Sequence, residues 1–115
     1  MNVTIYHNPR CSKSRQTLQL LRDKGVEPDI IEYLKNPPNL AEIKKLLGLL
    51  GMLPRELMRK KETPYDERGL ADESLSEEDL IAAMCTDPVL IERPIVVKGT
   101  KAVLGRPPEN VLDLL

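Results

Sequence analysis

The hydrophobic pattern changes period several times along the chain. Each change marks an element. Val3-Thr4-Ile5-Tyr6 alternates and is rich in β-branched and aromatic residues, which predicts a buried strand. Pro9 breaks it. Beyond Cys11 the spacing turns helical, with Thr17, Leu18 and Leu21 on one face and Arg22 and Lys24 outside. Gly25 is placed to end that helix. Ile30-Ile31-Glu32-Tyr33-Leu34 predicts a second strand. Strand, helix and strand in this order form a βαβ unit, with two parallel strands joined by a right-handed crossover.

After the punctuation of Asn36-Pro37-Pro38, Asn39 opens a helix with Glu42 three residues on. Leu40, Ile43, Leu46 and Leu47 follow at helical spacing, and Gly48 and Gly51 bracket its end. Pro54 suits the first turn of a short helix containing Leu57, Met58 and Arg59. Lys60 to Gly69 is polar and turn-rich around Pro64. Ser76 caps a further helix bearing Leu80, Ile81 and Met84, which Asp87-Pro88 closes. Ile95-Val96-Val97, a turn at Lys98-Gly99-Thr100, and Lys101-Ala102-Val103-Leu104 predict a β-hairpin. Gly105-Arg106-Pro107-Pro108 is a rigid connector into a last helix, Glu109 to Leu115. The expected fold is α/β: a four-stranded mixed sheet flanked by helices. The region from about Asn39 to Cys85 is expected as a helical insertion into one domain.

Composition narrows the function classes. A chain of 115 residues can bury a single core without staples. Phe and Trp are absent, so Leu, Ile and Val must build that core. Charged residues make up 30 % and nearly cancel to a net charge of −1, which argues against a nucleic-acid binder relying on a broad basic field. No apolar run approaches a membrane span, and the first residues enter a strand without a signal-peptide pattern, so a cytoplasmic location is expected. Two cysteines, Cys11 and Cys85, do not make a disulfide framework in a reducing compartment. With one histidine and no Cys/His cluster at ligand spacing, no metal site is expected.

The chemistry concentrates at Tyr6-His7-Asn8-Pro9-Arg10-Cys11-Ser12-Lys13-Ser14-Arg15. A thiol at a helix start meets unpaired backbone N–H groups and the positive end of the helix dipole. Both favour the nucleophilic thiolate. His7, as an imidazolium, would add to that stabilisation. Asn8 can shape the turn through side-chain bonds to backbone. Cys11-Ser12-Lys13-Ser14 is a C-x-x-S pattern. Ser14 could donate a hydrogen bond to the thiolate but cannot resolve a mixed disulfide, so the releasing sulfur must come from Cys85 or from an outside thiol. Cys85, beside Met84 on an amphipathic helix, reads more simply as a packed thiol. Among the arginines, Arg59, Arg93 and Arg106 stand apart because each sits beside stiff backbone or a helix end, where a planar fork can be preorganised for an oxyanion. Arg10, Lys13 and Arg15 supply general positive field.

Four stretches in order, His7-Asn8-Pro9-x-Cys11-x-x-Ser14-Arg15, Leu57-Met58-Arg59-Lys60, Ile91-x-Arg93-Pro94-Ile95-Val96-Val97 and Arg106-Pro107, resemble the glutaredoxin-linked arsenate reductases of the ArsC family. The resemblance runs over essentially the whole chain. It implies a thioredoxin-like core with an inserted helical region, a cis Pro94 beside the nucleophile, Cys11 as catalytic cysteine assisted by His7, and an oxyanion site of Arg59, Arg93 and Arg106. It further implies arsenate as substrate, glutathione as co-substrate with no bound cofactor, and glutaredoxin as protein partner, with neither nucleic acid nor membrane involved. Two other readings use the same residues: a glutathione-dependent thiol/disulfide reductase, and a regulatory binding protein like the Spx-type relatives that contact RNA polymerase. Against the latter, Ser14 occupies the place of the second cysteine of its redox switch, and the three arginines would have no role.

Overall fold

A computed structural model describes residues 2–115. The chain forms two compact units. The first runs to Asn36 and resumes over Arg93–Leu115; the second is Pro37–Glu92.

The first unit holds the sheet. Strands β1 (Val3–Tyr6), β2 (Asp29–Ile31), β3 (Ile95–Lys98) and β4 (Lys101–Leu104) lie in the order β2-β1-β3-β4. β1 pairs parallel with β2 at Ile5↔Ile30 and antiparallel with β3 at Ile5↔Val96, and β3 pairs antiparallel with β4 at Val96↔Val103. Helix α1 (Ser12–Asp23) supplies the crossover from β1 to β2. This is the four-stranded mixed sheet that the pattern of the chain predicts, in the thioredoxin-like form that the family resemblance implies. Its core follows from the two periodicities. Val3 and Ile5, two residues apart on β1, bury one face against Leu18 and Leu21 of α1, Val96 of β3, and Val111 and Leu114 near the C-terminus. Each such side chain, fully buried, contributes about 1.5–3 kcal/mol.

The second unit carries α2 (Leu40–Leu50), α3 (Pro54–Leu57), α4 (Thr63–Glu67) and α5 (Glu77–Thr86), followed by a 3-10 turn at Pro88–Leu90. Ile43, Leu46 and Leu47 of α2 are buried, as are Leu80, Ile81 and Met84 of α5 and Leu57 and Leu90. Asn39 caps α2 by accepting from the Glu42 N–H at 2.9 Å, the start expected from the sequence. Gly25 and Gly51, at φ of +79° and +66°, end α1 and α2 in the left-handed region where glycine is unstrained. Ser76 and Asp79 form a reciprocal capping box on α5, with both bonds at 3.1 Å. A Ser76→Ala protein is expected to lose about 0.5–2 kcal/mol, read as a lower denaturant midpoint at unchanged slope. An unshifted midpoint would deny the cap a role in stability.

Four local expectations change. β2 is shorter and earlier than Ile30–Leu34: Glu32 turns the chain by accepting from the N–H groups of Lys35 and Asn36, and Ile30 and Leu34 stay exposed. The polar Lys60–Gly69 stretch contains α4, because Pro64 sits in a first turn, where its missing N–H costs nothing. Helix α3 stops at Leu57. Met58 instead pairs with Ile91 in an isolated antiparallel bridge, so Arg59 follows a bridge rather than ending a helix. The last element, Pro108–Leu114, is 3-10 rather than α-helical. Among the described residues no helix is long and apolar enough to cross a membrane.

Candidate active site

Cys11 is the N-cap of α1, with φ −91° and ψ 124°. The turn before it is built from side chain and backbone together. Asn8 Oδ1 accepts from the Arg10 N–H at 3.0 Å, and the Asn8 carbonyl accepts from the Cys11 N–H at 3.0 Å. The Cys11 carbonyl begins the helix by accepting from Arg15 N–H at 3.0 Å, and Arg15 Nη1 reaches back to the Pro9 carbonyl at 3.1 Å. The thiol is buried. Burial alone would push its pKa up. The Ser14 N–H, the positive charge of Arg93, the Lys13 N–H and a hydrogen bond from the Arg93 side chain together outweigh burial and hold it below the ordinary thiol value.

His7 and Ser14 are both buried and meet each other, with His7 Nδ1 2.6 Å from Ser14 Oγ. Ser14 Oγ also accepts from the Asn8 N–H at 3.1 Å. The serine side chain therefore ties the end of β1 to the first turn of α1, and it is the serine backbone that favours the thiolate. The expected imidazolium is corrected. Burial lowers the His7 pKa, Glu32 raises it, and Arg22 and Arg15 lower it again, leaving the neutral ring favoured. A neutral imidazole either accepts the Ser14 proton at Nδ1 or donates to the serine oxygen, according to its tautomer. His7 thus acts on the loop through Ser14.

The Arg93–Pro94 and Arg106–Pro107 peptide bonds are both cis. Arg106 Nη1 donates to the Arg93 carbonyl at 3.4 Å, bringing two of the candidate arginines together although they are 13 positions apart. Residues not singled out as site residues by the sequence hold this region. Thr17, fully buried on α1, donates to the Lys13 carbonyl at 2.7 Å and lies 3.2 Å from the Gly105 carbonyl. The Gly105 N–H donates to the Pro94 carbonyl at 2.9 Å. A Cβ on Gly105 would lie 2.5 Å from Thr17 Oγ1, which explains the glycine before Arg106. Asn110 Nδ2 donates to the Leu104 and Arg106 carbonyls at 3.1 and 3.2 Å, fixing the backbone around Arg106. The available signals were a polar residue on an otherwise apolar helix stripe and a glycine beside Arg-Pro.

His7, Asn8, Cys11, Ser14, Arg93, Pro94 and Arg106 all belong to the first unit, and Arg59 to the second. In the second unit the Arg59 guanidinium is ion-paired with Glu62 and Glu92. Cys85, also there, is half-buried, and burial and then Glu42 push its thiol up. Among the described residues no group of His, Cys, Asp or Glu side chains could hold a metal ion. The two thiols therefore differ in opposite directions. Iodoacetamide should alkylate Cys11 with a half-maximal pH below the ordinary thiol value and Cys85 with one above it, as followed by peptide mass. A first alkylation at Cys85 near pH 7 would contradict the site electrostatics.

The whole chain that carries this site is similar to known proteins in sequence and in fold. The chain is 50 % identical to an arsenate reductase of Rhizobium meliloti (strain 1021), covering 100 % of this chain and 82 % of that protein. It is 59 % identical to the uncharacterized protein YfgD of Escherichia coli (strain K12), over 98 % of this chain and 96 % of the relative. Its fold superposes on the solved arsenate reductase from Vibrio cholerae with a TM-score of 0.97 at 52 % identity, covering 100 % of this chain and 98 % of that one. The family model of ArsC matches residues 6–114, and the chain belongs to the ArsC family.

Proposed function

We propose that this protein is an arsenate reductase that works with glutathione and glutaredoxin. The observation that carries the reading is Cys11 at the start of α1, with its thiol held below the ordinary pKa by the first-turn amides and Arg93. Its relatives named arsenate reductase supply the reaction class.

Arsenate resembles phosphate, which carries about −1.5 to −2 charges near neutral pH. Arg93 and Arg106 are positioned in the same unit as the thiolate, and the family resemblance gives Arg59 the same oxyanion-binding role. The Cys11 thiolate attacks arsenic and an oxygen leaves as water, forming an S–As bond. Glutathione then adds its sulfur to arsenic with loss of a second water, since Ser14 leaves no resolving thiol in the C-x-x-S turn. A glutaredoxin thiolate takes the glutathione sulfur as a mixed disulfide. The two electrons of the broken S–As bond stay on arsenic, which passes from As(V) to As(III). Hydrolysis of the remaining S–As bond releases arsenite and returns Cys11. The guanidinium groups serve binding and also stabilise charge as it redistributes.

The test is a coupled assay with purified protein, glutathione, glutaredoxin, glutathione reductase and NADPH. Arsenate-dependent loss of NADPH is the expected result. Turnover only of glutathione mixed disulfides would replace the proposal with a general thiol reductase.

A further inference from the structure

Arg59 is the candidate oxyanion arginine of the Pro37–Glu92 unit, and two carboxylates already compensate its charge. Nη1 lies 2.8 Å from Glu62 Oε1, and Nε lies 3.9 Å from Glu92 Oε1. All three side chains are about a quarter exposed, so the pairing is only partly screened by water.

The backbone sets this arrangement. Around the Met58↔Ile91 bridge, the Arg59 N–H donates to the Leu90 carbonyl at 2.7 Å and the Glu92 N–H donates to the Leu57 carbonyl at 2.8 Å. Arg59 and Glu92 are thereby pinned on neighbouring segments. The Glu62 N–H donates to the Arg59 carbonyl at 3.3 Å, which closes the turn that carries its side chain back. Glu62 is also the N-cap of α4, a place where Ser, Thr, Asp or Asn would normally cap, and its side chain makes no capping bond. Its carboxylate is committed to Arg59.

The positive charge of the Arg59 guanidinium is therefore already answered by carboxylates on two sides. A tetrahedral oxyanion must displace Glu62 from Nη1 or approach the guanidinium beside the Glu62 carboxylate. We infer that Glu62, supported by Glu92, determines how tightly Arg59 can hold an oxyanion, weakening it for strongly charged ligands. The inference rests on the oxyanion-binding role proposed above for Arg59.

Glu62→Gln keeps the size of the side chain and removes its charge. The KM for arsenate is expected to fall about two- to fivefold, in keeping with a partly exposed ion pair, with kcat changed less. The dissociation constant for inorganic phosphate, measured by calorimetry without turnover, should fall in parallel. Glu62→Ser, which can cap α4, should move both constants the same way while leaving the melting temperature unchanged or raised. A constant that stays put or rises in both variants would overturn the inference. The same substitution in an Arg59→Ala background should have no effect, and a persisting gain there would also overturn it. If Arg59→Ala alone leaves arsenate and phosphate binding unchanged, the role proposed for Arg59 itself fails.

Discussion

Cys11→Ser is expected to lose arsenate-dependent turnover by several orders of magnitude while keeping its melting temperature. The separation of the two effects follows from where Cys11 sits. Cys11 is the N-cap of α1, and a thiol sulfur is only a weak acceptor for the first-turn amides. Serine is among the residues preferred there, so the substitution leaves α1 at least as well capped as before. Reactivity is different. The amides of Ser14 and Lys13 and the charge of Arg93 overcome the burial that opposes ionisation of a thiol. A serine hydroxyl lies far outside the range they can shift, so the same surroundings yield no alkoxide near neutral pH. Oxygen also cannot replace sulfur in forming and releasing the bond to arsenic. The coupled assay and a thermal melt on the same preparation check both halves. Arsenate turnover retained in a well-folded Cys11→Ser protein would remove the nucleophile from the proposed reaction.

The nucleophile was the most legible part of the site because its signal is local. A β-branched strand, Pro9 and a helical period place Cys11 at a helix start within a few residues. The partner groups depend on contacts that periodicity does not carry. Ser14 was visible as a first-turn residue, but its bond to His7 joins a strand end to a helix across seven positions. The imidazole is also buried, and burial lowers its pKa against the imidazolium expected from its place near the thiol. Arg93 reaches the Cys11 environment from 82 positions away, and only the family resemblance linked them beforehand. In the second unit, Arg59 and Glu62 are close in sequence. The helical pattern that runs through Arg59 hides their pairing, and Glu92 becomes a neighbour only through the Met58↔Ile91 bridge. In β2 the apolar pattern runs on to Leu34, whereas the turn at Glu32 ends the strand at Ile31 and leaves Leu34 exposed.

Arg93→Ala should produce the second largest loss, about 10²–10³ in kcat/KM, because one side chain serves two steps. It favours the Cys11 thiolate through its charge and a hydrogen bond. It also belongs to the proposed oxyanion site, beside an Arg106 whose Nη1 donates to the Arg93 carbonyl. The two contributions separate with pH. Without Arg93 the thiol pKa rises, so the acid limb of the activity profile and the alkylation midpoint of Cys11 both move to higher pH. At alkaline pH the thiolate forms regardless, and that part of the deficit disappears. The part that persists measures the missing oxyanion contact and should appear as a raised KM for arsenate. Arg93→Lys divides the same quantities differently. A lysine keeps a positive charge and much of the thiolate stabilisation, but a point charge cannot reproduce the planar two-donor contact to an oxyanion. Its alkylation midpoint should lie between those of the wild type and the alanine variant, with KM still raised. An Arg93→Ala protein with an unchanged alkylation midpoint would show that the thiolate owes its stability to the helix start alone, leaving Arg93 with oxyanion binding only.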